Sequence, residues 1–118
     1  MRIEDCYAAM GGDYLEVLNR FGKAERVRRF LLKFPKDQSF SQLGAALEVQ
    51  DGSEAYRMAH SLKGISANLG LLNLYESVRV LSDTLRDRGI DDRTQALFEQ
   101  AKADYDAVID HIEKLDIE

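Results

Sequence analysis

A regular spacing of apolar residues in the second half of the chain is the feature that most limits the folds open to it. Leucine and valine recur at alternating intervals of three and four residues, at Leu71, Leu74, Val78, Leu81 and Leu85. This spacing places the apolar side chains on one stripe of an α-helix that packs against other helices. The sequence has one proline, no tryptophan, and many strong helix formers. An all-α fold is therefore predicted.

Turn-forming and capping residues divide the chain before that stripe. Asp13, with Glu16 three residues later, predicts the start of a short helix. The helix is expected to end at Phe21-Gly22, where the glycine can stop it. A second apolar stripe follows, and Pro35 interrupts it because proline cannot continue a regular helix. The stripe consists of Val27, Phe30, Leu31, Phe34, Phe40, Leu43 and Leu47. This pattern predicts one kinked helical arm over residues 23–50.

Three further helices are predicted after the kinked arm. Either Asp51, with Glu54 three residues later, or Ser53 is the expected N-cap of a helix that ends at Gly70. The helix with the leucine and valine stripe comes next and ends at Gly89. Asp92-x-x-Gln95 predicts the start of the last helix. The apolar stripe of that helix consists of Leu97, Ala101, Tyr105, Val108, Ile112 and Leu115.

These segments predict a single domain over residues 1–118. Four long helical arms joined by short turns are typical of an antiparallel up-down-up-down four-helix bundle, which we expect over residues 23–118. Residues 1–22 are expected to form a short leader of helices before the bundle. A chain of 118 residues is long enough to bury one core.

Charge and hydropathy exclude several classes of function. The net charge of −5 argues against a nucleic-acid partner, because nucleic-acid-binding proteins usually carry a clustered basic surface. No apolar run approaches the roughly 20 residues of a membrane span, and the N-terminus does not resemble a signal peptide. We therefore expect a cytoplasmic monomer with no membrane partner, and the start at Met1 favours a free-standing protein. The lone cysteine, Cys6, is expected to be either a packing residue or a neutral surface residue.

His60 is the residue whose position points most clearly to chemistry. With about 100° per residue, the helix face between about 140° and 260° from His60 is apolar. That face consists of Ala55, Met58, Ala59, Leu62, Ile65, Ser66 and Leu69. His60 points the other way, among Ser53, Tyr56, Arg57, Lys63, Gly64 and Ala67. The pattern predicts a solvent-exposed imidazole.

The neighbours of His60 favour phosphoryl chemistry over a surface histidine without a role. Gly64 costs about 1 kcal/mol relative to alanine inside a helix, and its missing side chain leaves room for a phosphoryl group or another protein. Lys63 and Arg57 place positive charge beside a group that carries nearly two negative charges. A neutral imidazole is nucleophilic, and its bond to phosphorus is labile enough for onward transfer.

The same segment carries a family resemblance. His60-Ser61-Leu62-Lys63-Gly64, then Ser66, then Asn68-Leu69-Gly70 closely resembles the signature of histidine-containing phosphotransfer (HPt) domains of multistep phosphorelays. The resemblance implies a four-helix bundle in which His60 accepts a phosphoryl group from the aspartyl phosphate of one receiver domain and donates it to another. It also implies that Lys63 stabilises the phosphate and that Gly64 gives clearance.

The resemblance further implies a phosphoryl carrier that is not an enzyme and has no kinase activity of its own. Its expected partners are response-regulator receiver domains, a hybrid histidine kinase, or both. No cofactor or metal is expected in this chain, and any Mg²⁺ would belong to the receiver. The residues expected at the receiver-docking surface are Arg57, Ala67, Asn68 and Leu72.

Two alternatives stay open at this point. One is a helical adaptor that binds receivers without transfer; the other is direct phosphorylation by an ATP-using kinase domain, which requires a separate catalytic module.

His111 has no Lys-Gly pair after it, so a boundary role is expected and His111 is an internal control. Many HPt domains carry an acidic residue late in the helix after the motif; here the acidic side chain in that stretch is Asp83, for which no role is predicted.

Overall fold

The computed structural model describes residues 1–116, which fold entirely into helices and their connections. In chain order the helices are α1 (Ile3–Met10), α2 (Tyr14–Phe21), α3 (Ala24–Lys33), α4 (Ser39–Glu48), α5 (Gly52–Asn68), α6 (Leu72–Arg88) and α7 (Thr94–Asp116). A short 3₁₀ turn, Phe34–Lys36, lies between α3 and α4. Over this described part of the chain there is no β-strand, and no helix is long and apolar enough to cross a bilayer. The predicted all-α class is confirmed.

The N-termini of α2 and α5 lie where the sequence predicts them. The Asp13 carboxylate accepts a hydrogen bond from the backbone N–H of Glu16 at 3.2 Å. The Asp51 carboxylate accepts one from the backbone N–H of Glu54 at 3.0 Å. Each aspartate therefore satisfies a donor that the first turn of its helix leaves without a partner.

The start of α7 differs from the predicted one. The Asp91 carboxylate accepts a hydrogen bond from the backbone N–H of Arg93 at 2.9 Å, and the Asp91 N–H donates to the Thr94 hydroxyl at 2.9 Å. Asp91 and Thr94 close this turn, so the predicted pair Asp92 and Gln95 was wrong. The Arg93 N–H stabilises the charged carboxylate and lowers the pKa of Asp91 below its ordinary value.

Helices α4 to α7 share one core. α5 packs against both α4 and α6, and α6 packs in turn against α7. The leucine and valine stripe from Leu71 to Leu85 is buried at all five of its positions. The spacing from which the all-α fold was predicted therefore marks residues that face the core.

The kinked arm consists of α3, the 3₁₀ turn and α4. Pro35 lies inside the turn, where its missing N–H breaks no regular helix. Aromatic rings join this arm to α7: the Tyr105 ring centroid lies 5.7 Å from that of Phe34 and 4.1 Å from that of Phe40. Phe40 also stacks on Phe98 at 5.4 Å. The predicted break at Pro35 thus turns the arm so that its aromatic side chains face α7.

The predicted leader, residues 1–22, packs into the same core as the other helices. Its buried residues are Ile3, Cys6, Tyr7, Met10 and Val17. The Tyr7 hydroxyl donates a hydrogen bond to the Leu69 carbonyl at 2.8 Å, and the Asp13 N–H donates to the Gly70 carbonyl at 3.1 Å. The end of a helix leaves carbonyl groups without partners inside the helix. The N-terminal segment therefore supplies hydrogen bonds to the end of α5.

Of the two roles that the sequence leaves open for Cys6, the structure selects packing in the core. It is fully buried on α1, and its thiol donates to the backbone carbonyl of His111 on α7 at 3.6 Å. Burial raises the pKa of the thiol above its ordinary value. Cys6 therefore stays protonated and unreactive at neutral pH.

Replacing Tyr7 with phenylalanine tests the contact between α1 and α5. The change leaves the Leu69 carbonyl unpaired, so the free energy of unfolding at neutral pH should fall by about 1–3 kcal/mol. Burial raises the pKa of Tyr7 well above its ordinary value of 10.0. The stability that depends on the protonated hydroxyl is thus present below pH 10.0 and is lost as the pH rises further.

Urea unfolding of wild type and Tyr7→Phe at neutral pH and at about pH 11 measures both effects. The gap in unfolding free energy between the two proteins should narrow at the higher pH, because only wild type carries the ionisable hydroxyl. A gap that is absent at neutral pH, or that widens in alkali, contradicts this account of Tyr7.

Candidate functional site

Helix α5 has one buried face and one exposed face, and His60 lies on the exposed one. The buried residues of α5 are Ala55, Met58, Ala59, Leu62 and Ser66. His60 is exposed, and so are Gly64, Ala67 and Asn68 on the turns that follow it. We call the surface formed by His60, Gly64, Ala67 and Asn68 the His60 face. Its position agrees with the helical periodicity, which places His60 opposite the core.

The imidazole of His60 packs beside the ring of Tyr56. The two ring centroids lie 5.8 Å apart, and the ring planes make an angle of 33°. Tyr56 is half-buried one turn before His60, so it limits the directions in which the imidazole can turn. Within residues 1–116 neither imidazole nitrogen has a hydrogen-bond partner. The sequence analysis placed Tyr56 on the same helix face as His60 but gave it no role. The spacing of four residues between the two could have predicted their contact, because residues four apart are neighbours on a helix surface.

The two basic residues beside His60 differ in how freely their charges can move. The Glu54 carboxylate accepts two hydrogen bonds from the Arg57 guanidinium, at 3.0 and 2.7 Å. This pairing raises the pKa of Arg57. Lys63 is half-buried and forms no ion pair with any residue of the described chain. Of the two cations, Lys63 can therefore turn toward an anion on His60 without breaking an existing ion pair.

Open space surrounds Gly64. A Cβ atom added at Gly64 would have no neighbour within 4 Å among the described residues, outside its own helix backbone. Beyond the exposed Ala67 and Asn68, Leu72 at the start of α6 keeps 48% of its surface exposed. The residues predicted at the docking surface are thus all accessible, and all except Arg57 lie on the C-terminal side of His60.

Replacing Gly64 with alanine is expected to stabilise the protein. Alanine is favoured over glycine in a helix by about 1 kcal/mol, and the added methyl group meets open space. The longer side chain of a Gly64→Gln variant should instead obstruct an approaching protein and slow phosphoryl transfer from it. Urea unfolding and transfer rates measure the two effects. A loss of stability in Gly64→Ala would mean that the fold, and not access to His60, requires this glycine.

His111 has a different environment from His60. It lies at the boundary of the core on α7, and its Nδ1 atom is 2.7 Å from the Ala107 carbonyl. At this distance the nitrogen donates a hydrogen bond that ties the ring to its own helix. His111 therefore has the boundary position expected from the sequence and remains a suitable internal control.

Asp83, the acidic residue on α6, is engaged by two arginines. Its carboxylate accepts a hydrogen bond from Arg79 at 3.1 Å and lies 3.5 Å from the Arg86 guanidinium. Both arginines belong to α6 itself. These ion pairs run along one helix, and no role toward His60 follows from them.

Helix α2 reaches the His60 face, which the sequence did not predict. Glu16 and Arg20 line an open depression together with Gly64, Ala67 and Asn68. The Arg20 guanidinium donates to the Glu16 carboxylate at 2.9 Å. The spacing of four residues between Glu16 and Arg20 signals their ion pair. Their position beside α5 depends on contacts between distant segments, for which the sequence has no local signal.

The geometry supports nucleophilic chemistry at one side chain. An exposed imidazole, a lysine without an ion pair and open space beside Gly64 lie on neighbouring turns of α5. A phosphoryl group bound to the imidazole would find positive charge and room there. Over residues 1–116, no group of three or more His, Cys, Asp or Glu side chains is arranged to hold a metal ion.

Comparison with known proteins identifies a family for this region. The family model described as "Hpt domain" matches residues 34–115, which is more than two thirds of the chain. Neither a search of curated proteins nor a search of solved structures found a match. The matched region contains α4, α5, α6 and all but the last residue of α7, and therefore the whole of the His60 face. This chain belongs to the Hpt domain family, whose members take part in histidine phosphotransfer in phosphorelays.

Proposed function

We propose that this chain is the histidine phosphotransfer protein of a multistep two-component phosphorelay. It accepts a phosphoryl group on His60 from the aspartyl phosphate of one receiver domain and passes it to another. The observation that carries the proposal is the exposed imidazole of His60 within the Hpt-matched region, next to Lys63 and the open space at Gly64. The chain acts as a cytoplasmic monomer without kinase activity of its own, and its partners are receivers, a hybrid histidine kinase, or both.

The proposal includes the arrangement of the helices. We propose that α4, α5, α6 and α7 alternate in direction as an antiparallel up-down-up-down bundle. Each of these helices packs against the next one in the chain, and only short connections separate them. Short connections between packed helices favour antiparallel neighbours. In this arrangement His60 lies on the outer side of the second bundle helix.

In the transfer step, an unprotonated nitrogen of the His60 imidazole attacks the phosphorus of the receiver's aspartyl phosphate. The N–P bond forms as the P–O bond to the aspartyl group breaks, and the electron pair of that bond leaves with the receiver's carboxylate. Lys63 stabilises the charge on the phosphoryl group, and Gly64 gives the receiver room to approach. Onward transfer is the reverse step with a second receiver. Any Mg²⁺ belongs to the receiver.

A transfer assay tests the proposal directly. Receiver domains from the same organism are phosphorylated with radiolabelled acetyl phosphate, freed of the donor, and mixed one by one with the purified chain. At least one receiver should pass an acid-labile label to the chain. If receivers bind the folded chain and none transfers its label, the adaptor alternative is correct and the carrier proposal is wrong.

A further inference from the structure

We infer that Arg20 on α2 contacts the receiver that docks on His60 and helps decide which receivers the chain accepts. This inference rests on the proposed function, because it names a contact of the same docking surface. It concerns residues outside the Hpt match, which begins at residue 34.

The first step is the distance between α2 and the imidazole. Gly64 and Asn68 follow His60 by four and eight residues, so they lie about 6 and 12 Å along the axis of α5. Glu16 and Arg20 share an open depression with both of them. A specific interface buries about 800 Å² on each partner, which corresponds to a patch about 16 Å in radius. A receiver centred on His60 therefore covers the depression and meets α2.

The second step is the fixed position of α2. The Asp13 N–H at the start of α2 donates to the Gly70 carbonyl at 3.1 Å. Val17 is fully buried, and its methyl group would lie 2.4 Å from a Cβ atom added at Gly70. The backbone of α2 is thus in close contact with the end of α5. The base of the Arg20 side chain is held at a set distance from Gly64.

The third step is the charge of Arg20. Its ion pair with Glu16 joins residues four apart on the helix surface, and the accessible fraction is 32% for the Arg20 side chain and 62% for the Glu16 side chain. Such pairs on a helix surface contribute little to stability, so the guanidinium can turn to another anion at little cost. An incoming aspartyl phosphate surface is strongly negative. The positive charge of Arg20, at the edge of the docking surface, attracts the negative surface of the receiver. It therefore discriminates between receivers that differ in the acidic residues facing Arg20.

Two alanine variants distinguish a contact between Arg20 and the receiver from a purely structural role of the ion pair between Arg20 and Glu16. Arg20→Ala and Glu16→Ala both break the pair, but only the first removes the positive charge. Arg20→Ala should slow transfer from the preferred receiver roughly 5- to 10-fold at low salt, whereas Glu16→Ala, which removes a negative charge from the same depression and frees Arg20, should speed it. The difference should shrink as salt is added. Lys102→Ala, which breaks an exposed pair on α7, is the matched control and should match wild type.

Labelling by phosphoramidate, a small donor that needs no docking surface, is measured in parallel for each variant. Arg20→Ala should be labelled at the wild-type rate by this donor. The inference is overturned if the two alanine variants slow transfer from the receiver equally, or if Arg20→Ala does not slow it. It is also overturned if Arg20→Ala slows labelling by both donors. If wild type accepts no label from any receiver while phosphoramidate still labels it, the proposed function fails instead.

Discussion

A His60→Gln variant is expected to take up no phosphoryl group from any receiver that labels wild type. The glutamine amide nitrogen is not a nucleophile, so no N–P bond can form at position 60. Because His60 is exposed and packs beside the ring of Tyr56 without burying its own, the variant should keep the wild-type free energy of unfolding to within about 0.5 kcal/mol. Acid-labile label on the purified chain and urea unfolding measure the two expectations.

His111→Gln is the matched control for this experiment. It removes the chain's second imidazole, which is tied to the Ala107 carbonyl at the boundary of the core. The labelled fraction at saturation should equal that of wild type. Label that persists in His60→Gln and disappears in His111→Gln would move the phosphorylation site to α7 and refute the proposed mechanism.

A Gly70→Ala variant is expected to lose about 2–5 kcal/mol of unfolding free energy. Gly70 has a φ of +65°, a left-handed conformation that costs a residue with a side chain about 1–2 kcal/mol. The new Cβ atom would also lie 2.4 Å from a methyl carbon of Val17 and 3.1 Å from the Asp13 carbonyl oxygen. Relief of such overlap typically costs a further 1–3 kcal/mol or so. Urea unfolding of both proteins measures the loss.

Gly22→Ala separates the two contributions. Gly22 also has a left-handed backbone, with a φ of +85°, but a Cβ atom added there has no neighbour within 4 Å in the described chain. This variant should lose only the conformational part, about 1–2 kcal/mol. If Gly70→Ala and Gly22→Ala lose the same stability, the close contact of α2 with the end of α5 contributes nothing measurable.

Features that depend on helical periodicity alone were predictable from the sequence. The exposed position of His60 follows from its spacing to buried residues such as Leu62 and Ser66 on the same helix. The buried stripe that begins at Leu71 was predictable for the same reason. The ion pair of Arg57 with Glu54 was also predictable, since residues three apart on a helix are neighbours on its surface.

Features that depend on contacts between distant segments were not predictable. The hydrogen bond from Tyr7 to the Leu69 carbonyl joins residues 62 positions apart, and nothing near either residue signals the other. The location of Arg20 beside Gly64 depends on this packing of residues 1–22. The start of α7 was missed for a local reason, because Asp91 closes a turn with Arg93 and Thr94 just before the helix, and the helix then begins at Thr94, not directly after Asp92.

The attachment of α2 to the end of α5 has a consequence for the speed of complex formation. A binding surface assembled from mobile segments loses conformational entropy when a partner orders it. Here the backbone of α2 is already in contact with Gly70, so a partner has only side chains such as Arg20 to immobilise. Association is then limited mainly by diffusion and long-range attraction. Such kinetics suit the proposed carrier, which would meet one receiver, leave it, and find the next.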